Sequence, residues 1–147
     1  MKIAIQILEH GKDLPLPSYA TEGAAGMDLR AAVHETVVIR PGERKLIPTG
    51  LSIAVPKGYE AQVRPRSGLA LKQGVTMLNS PGTIDSDYRG EVGLITINHG
   101  EKPFEINRGD RLAQLLIAKV EKAEWELIDN LDETSRASGG FGHTGTH

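Results

Sequence analysis

Cysteine is missing from all 147 residues of this chain, so disulfides and thiolate metal sites are excluded, and a reducing compartment suits it. Aromatic residues are scarce: one Trp, two Phe and three Tyr leave Leu, Ile, Val and Ala to fill any core. No segment approaches the ~18 consecutive apolar residues of a membrane span. Excess charge is lacking too. A net charge of −2 gives no basic footprint for nucleic acid. Residues 1–8 alternate apolar and polar side chains, without the continuous apolar stretch of a signal peptide. The expectation is a soluble cytoplasmic protein with no membrane or nucleic-acid partner. A single domain of this size buries roughly 70% of its unfolded surface.

What is present is a period of two. Ile3, Ile5 and Ile7 alternate with polar or small neighbours, as do Leu51, Ile53 and Val55. Tyr59, Ala61 and Val63 alternate with Glu60, Gln62 and Arg64. Residues 37–39, 44–47, 104–106, 112–120 and 124–127 also read as strands. Turn-forming clusters separate them: Pro41-Gly42, Pro56-Lys57-Gly58, Asn98-His99-Gly100-Glu101 and Arg108-Gly109-Asp110. Many short strands at this spacing predict an all-β sandwich or barrel. Pro56-Lys57-Gly58 reads as a hairpin tip joining 51–55 to 59–64. One short helix is expected over 68–72, with Ser67 as N-cap and Gly74 beyond its end. After about Asp132 the composition changes. Thr134 to His147 holds four Gly, three Thr and two Ser and cannot build a core. The division is a β-barrel domain over 1–132 and a Gly-rich C-terminal segment over 133–147.

Chemistry concentrates in Gly82-Thr83-Ile84-Asp85-Ser86-Asp87-Tyr88-Arg89-Gly90-Glu91, between apolar residues 75–78 and 92–97. This reads as a hairpin whose tip carries carboxylates able to activate a water. A solvated turn would look the same. Ser67 and Gly68 open the helix, where free amides favour an anion, and Arg66 adds a guanidinium suited to phosphate. A helix start beside a surface arginine is the plainer reading. Gln114, inside the apolar run Leu112-Ala113-Gln114-Leu115-Leu116, faces either solvent or a site. The letters Gly140-x-Gly142-x-x-Gly145 match a dinucleotide fingerprint, but no strand precedes them and no helix can follow. His143 and His147 stand four apart without a helix to align them and make a weak metal pair.

Five blocks in order resemble the motifs of the dUTPase family. They are Ala25-Gly26-Met27-Asp28-Leu29-Arg30-Ala31, Arg64-Pro65-Arg66-Ser67-Gly68-Leu69-Ala70, the Gly82–Glu91 run, Arg108-Gly109-Asp110-Arg111-Leu112-Ala113-Gln114-Leu115, and Arg136-Ala137-Ser138-Gly139-Gly140-Phe141-Gly142-His143-Thr144-Gly145. The resemblance implies a jelly-roll-like homotrimer with shared active sites. Its reaction would be the Mg²⁺-dependent cleavage of dUTP to dUMP and pyrophosphate, which supplies dUMP and keeps uracil out of DNA. It implies Asp85 as the base for water attack on the α-phosphorus, with Asp87 the other candidate in the turn. Arg66, Ser67, Gly68 and Gln114 would grip the triphosphate. Asn79, whose amide offers a donor and an acceptor, would read uracil with Gly82, Thr83, Ile84 and Gly93, and Tyr88 would exclude a 2′-hydroxyl. Asp28 would support Mg²⁺ through water, the metal resting mainly on substrate phosphates. Arg136, Phe141 and Thr144 would close from a neighbouring subunit, although Ala137 and His143 stand where the family commonly has glycine and serine. Two other readings share this frame: a dCTP deaminase using Glu91, and a non-catalytic nucleotide-binding trimer.

Overall fold

The alternating segments become strands that pair antiparallel. In the computed structural model, which describes residues 1–141, these are β1 (Ala4–Ile7), β2 (Met27–Arg30), β3 (Val37–Ile39), β4 (Arg44–Ala54), β5 (Tyr59–Pro65), β6 (Val75–Met77), β7 (Gly82–Ile84), β8 (Glu91–Asn98), β9 (Phe104–Ile106) and β10 (Arg111–Lys119). One short α-helix, α1 (Ser67–Gln73), follows β5. One sheet has the order β1-β4-β8-β6, a second β2-β10-β5-β7, and β3 pairs with β9. This is the all-β architecture that the periodicity predicts, in the jelly-roll-like form that the family resemblance implies. No helix among the described residues is long and apolar enough to cross a membrane.

The inward faces meet in an aliphatic core. Leu29, Ile39, Ile47, Leu94, Ile106 and Leu112 are essentially inaccessible, and no aromatic residue among those described is fully buried. Truncating any one of these Leu or Ile residues to Ala costs about 2–5 kcal/mol, the lost transfer energy plus the cavity left behind. The polar interior is small, and Asn98 at its centre is satisfied. Its Nδ2 donates to the carbonyls of Ile39 (2.9 Å) and Lys102 (2.8 Å), and its Oδ1 accepts from Gly100 N–H at 2.8 Å.

Four local expectations are corrected. The segments read separately at 44–47 and 51–55 belong to one strand that ends at Ala54: Pro48 removes a ladder donor, the β4–β8 register slips between Pro48 and Ser52, and Gly50 takes φ +70 at the bulge. Pro56-Lys57-Gly58 is not a hairpin tip, because β4 and β5 lie in different sheets and the turn carries the chain between them. Arg66, rather than Ser67, is the N-cap of α1, and no side chain caps it, whereas Gly74 ends the helix at φ +67 as expected. Residues 124–127 are not a strand, and every residue from 121 to 138 is exposed. An alternating pattern there has no partner strand among the described residues of its own chain.

Candidate active site

The first group of predicted site residues is assembled by sheet register. Gln114 in β10 pairs with Asp28 in β2 on one side and Arg64 in β5 on the other. Their neighbours Leu29, Ala113 and Val63 point into the core, so this row lies on the outer face of the sheet. Gly26 packs closely beside it: a Cβ there would come within 3.1 Å of Gln114 Cβ. Arg66, where β5 gives way to α1, brings Nε to 3.2 Å from Asp28 Oδ1 and donates from Nη1 to the Arg111 carbonyl at 3.1 Å. Arg111 Nη1 donates to Asp28 Oδ2 at 3.0 Å. The Arg66 contact is an ion pair rather than a hydrogen bond, because Asp28 Oδ1 is buried without a bonded donor. Sequence spacing left Asp28 unplaced; the structure puts it between two guanidiniums. At the start of α1 the first helical bond is Ala70 N–H to the Arg66 carbonyl, at 3.1 Å. The amides of Ser67 and Gly68 therefore precede the ladder, on an exposed turn with open space above Gly68.

The second group surrounds the Asp85 turn, whose geometry corrects the simple hairpin. β6 and β8 do pair, but between them the chain crosses to the other sheet, where β7 lies against β5. The turn thus hangs from both sheets. A crevice of about 160 Å³ is lined by Thr83, Ile84, Asp85, Tyr88, Glu91, Val92 and Gly93. Asp85 is exposed, and its carbonyl accepts from Tyr88 N–H at 3.2 Å, closing the turn. Tyr88 Oη donates to the Glu91 carbonyl at 3.0 Å. A side chain at Gly90 would displace the Tyr88 phenol from its place over the turn. Asn79 lies on Gly82 in the same way, its Nδ2 at 3.1 Å from the position of a Cβ. On its other side Asp85 borders a broader groove with Asp87, Lys57, Lys119 and Lys122.

Arg66, Gln114 and Arg136 are absent from the walls of the Asp85 crevice. Arg136 is exposed and folds onto its own segment, Nε donating to the Gly139 carbonyl at 2.9 Å. Phe141 is fully exposed, and both it and Ala137 adopt positive φ, 50° and 45°. Thr144 and His143 lie outside the described residues. Among the described residues no three His, Cys, Asp or Glu side chains cluster as metal ligands.

Sequence reasoning missed two participants. Arg111 sits in a quoted motif but acquires a role only through its contact with Asp28. His10 is 81 residues from Glu91 and carries no local signal, yet Nε2 reaches Glu91 Oε1 at 2.8 Å. Nearby, Arg108 pairs with Asp13 and holds that carboxyl below the usual carboxylate range, chiefly through their hydrogen bond.

A family model, dUTPase, matches residues 12–145. The chain belongs to the dUTPase family. Similar curated proteins include deoxyuridine 5'-triphosphate nucleotidohydrolases of Maricaulis maris (58% identical over 146 residues, 98% of this chain and 96% of the relative) and of a Wolbachia from Brugia malayi (58% over 147 residues, 99% and 94%). Among solved structures, the dUTPase of Staphylococcus bacteriophage 80alpha with dUPNHPP superposes with a TM-score of 0.87 at 25% identity, covering 98% of each chain. A mutant dUTPase of S. aureus phage phi11, described with a structural Mg(II) ion, gives 0.78 at 25% identity, covering 88% of this chain and 98% of that one. In this dUTPase-family chain one residue group is cationic and the other is a crevice bordered by a carboxylate and a phenol.

Proposed function

We propose that the protein hydrolyses dUTP to dUMP and pyrophosphate, with each active site built from more than one subunit of a homotrimer. The observation that carries the reading is the conjunction of the Asp85–Tyr88 crevice with a separate cationic group at Arg66 and Arg111, in a chain of the dUTPase family. In the base pocket, Asn79 and the backbone of Gly82, Thr83, Ile84 and Gly93 pair with uracil. Cytosine offers an amino donor where uracil offers a carbonyl, so buried groups would go unpaired, which discriminates by ~10⁴ or more. Tyr88 lies flat against deoxyribose and refuses a ribose. Arg66, the Ser67 and Gly68 amides and Gln114 hold the triphosphate. Asp85 orients and deprotonates the water that attacks the α-phosphorus, a contribution of ~10²–10⁴ in rate.

Segment 120–141 supports the shared site. Trp125 is 96% exposed and Leu127 fully so, with Leu131 close behind, although apolar side chains of this size are normally covered. An apolar crevice of Ile3, Ile5, Leu16, Pro17, Met27, Ile53, Leu115 and Ile117 offers a neighbour's arm a surface of matching character. Docked there, residues 133–147 become a lid on the next subunit: Phe141 stacks on the base, Arg136 meets the phosphates, and Thr144 joins them.

The residues fit Mg²⁺ in a limited way. Asp28 Oδ1 is a buried acceptor with an unused lone pair, suited to a water held by the ion rather than to direct ligation. The phosphates would carry most of the metal, which when bound neutralises their charge. The cysteine-free chain suits the reducing cytoplasm. The deaminase reading loses ground because Glu91 Oε1 is already occupied by His10 and by Gly50 N–H at 2.7 Å. Incubation with dUTP, dCTP, dTTP and UTP in Mg²⁺ tests the proposal. It expects dUMP and pyrophosphate from dUTP alone; ammonia from dCTP, or no product at all, would overturn it.

A further inference from the structure

We propose that His10 is a positioning residue for sugar selection: it pins the Glu91 carboxylate to the β4 bulge and, through Glu91, fixes Tyr88. The inference rests on the reading of Tyr88 as the residue that refuses ribose.

The device begins with the interrupted ladder. Between Pro48 and Ser52 the β4–β8 pairing is out of register, so Gly50 N–H lacks a backbone acceptor on β8. Glu91 supplies one from its side chain, Oε1 accepting from Gly50 N–H at 2.7 Å. A carboxylate oxygen has room for a second donor, and His10 Nε2 takes that place at 2.8 Å. Because a carboxylate only accepts, the bond has His10 Nε2–H donating.

His10 reaches Glu91 because two backbones touch. It lies in a 3-10 turn, Glu9–Gly11, pressed against the bulge. A Cβ on Gly11 would come within 2.7 Å of the Gly50 carbonyl oxygen, and one on Gly50 within 2.5 Å of Gly11 Cα. Leu8 N–H donates to the Gly50 carbonyl at 2.8 Å, so both polar groups of Gly50 are served from either side of the same contact. Arg108 locks the turn from behind, Nη2 donating to the His10 carbonyl at 2.7 Å and Nη1 to the Val33 carbonyl at 3.1 Å. Less than a third of either the His10 or the Glu91 side chain is exposed, 27% and 29%.

At the other end of Glu91 stands Tyr88. The phenol donates to the Glu91 backbone carbonyl and its ring lies over Gly90, which has no side chain to resist a shift. The position of the ring therefore follows the position of residue 91. Glu91 is held by β8 on its backbone and by the bulge and His10 on its side chain. Loosening the side chain gives Tyr88 room to yield to a 2′-hydroxyl.

The test measures kcat/KM for dUTP and for UTP in the full-length wild type and in the variants His10→Ala, His10→Gln and Tyr88→Ala. The dUTP-to-UTP ratio should fall about fivefold in His10→Ala, mainly by a gain on UTP, the scale of one partly exposed hydrogen bond. His10→Gln, whose amide can donate to the same oxygen, should keep the ratio within about twofold of wild type. If His10→Ala does not fold, His10→Phe replaces it, keeping ring bulk without a donor. An unchanged ratio in the non-donating variant, or an equal loss in His10→Gln, would overturn the inference. If Tyr88→Ala also left the ratio unchanged, the reading of Tyr88 would fall with it. Collapse in Tyr88→Ala beside an unchanged His10→Ala would remove His10 alone.

Discussion

Residues 1–119 and residues 120–141 obey opposite rules. In the first, apolar side chains of two sheets meet in a core and the few buried polar groups mostly find partners; in the second, the chain forms no strand and leaves Trp125, Leu127 and Leu131 in solvent. The first region has solved its own folding problem. The second presents three large apolar side chains and nothing among the described residues of its own chain to bury them. The proposed functional residues divide along the same line, with Asp85 and Arg66 at strand ends of the first region and Arg136 on the arm. On the proposed reading, the fold is a property of one chain and the complete site a property of the assembly.

Cutting that line gives the largest expected effect. Truncation after Leu131 should leave a folded β-domain and lower kcat for dUTP by about 10³–10⁵, the scale of an arginine that meets phosphoryl charge. Normal turnover by the shortened chain would show that the arm is not a lid. Asp85→Asn breaks the other side of the comparison. Nucleotide affinity should persist while kcat drops by about 10²–10⁴; a variant keeping more than about a tenth of the wild-type rate moves the base elsewhere, to Asp87 first. Replacing both Trp125 and Leu127 with Ser sharpens the boundary between the regions. Each removes about 1.5–3 kcal/mol of burial if the arm docks on a neighbour, so sedimentation should show the assembly weakened more than tenfold. Unchanged association would leave the arm without a role in the trimer. The smallest effect belongs to Ala137, at φ 45 in a turn that glycine occupies without strain. Ala137→Gly should raise kcat/KM about threefold, the net of relieved strain and added freedom in the open tail; a fall instead would mean that this turn is not part of the closed lid.

The two regions also differ in how far their sequence could be read. The alternation of Tyr59, Ala61 and Val63 against Glu60, Gln62 and Arg64 gives the faces of β5 directly, because half-buried strands repeat every two residues. The same rule misleads at 124–127, where the pattern is real but no described segment of the chain supplies a partner strand. Pro56-Lys57-Gly58 announces a turn and cannot say that it joins two sheets, since sheet membership is decided by non-local pairing. Within the site, the grouping of Asp85 and Tyr88 is visible because they share one turn, while their proposed roles and that of Asn79 come from the family resemblance. Asp28, Gln114 and Arg111 meet only through the register of β2 on β10. His10 and Glu91 meet only through a bulge and a contact between two glycines. Such a meeting leaves no periodic trace.

The central claim, that one site draws on more than one chain, is tested most directly by complementation. Asp85→Asn and Arg136→Ala are each expected to be inactive alone. When the two are co-expressed and allowed to form mixed assemblies, random mixing places an intact Asp85 beside an intact Arg136 in about a quarter of shared sites. The account predicts dUTP hydrolysis near that fraction of wild type. A mixture as inactive as its two parents would place Asp85 and Arg136 of every site in the same chain and contradict it.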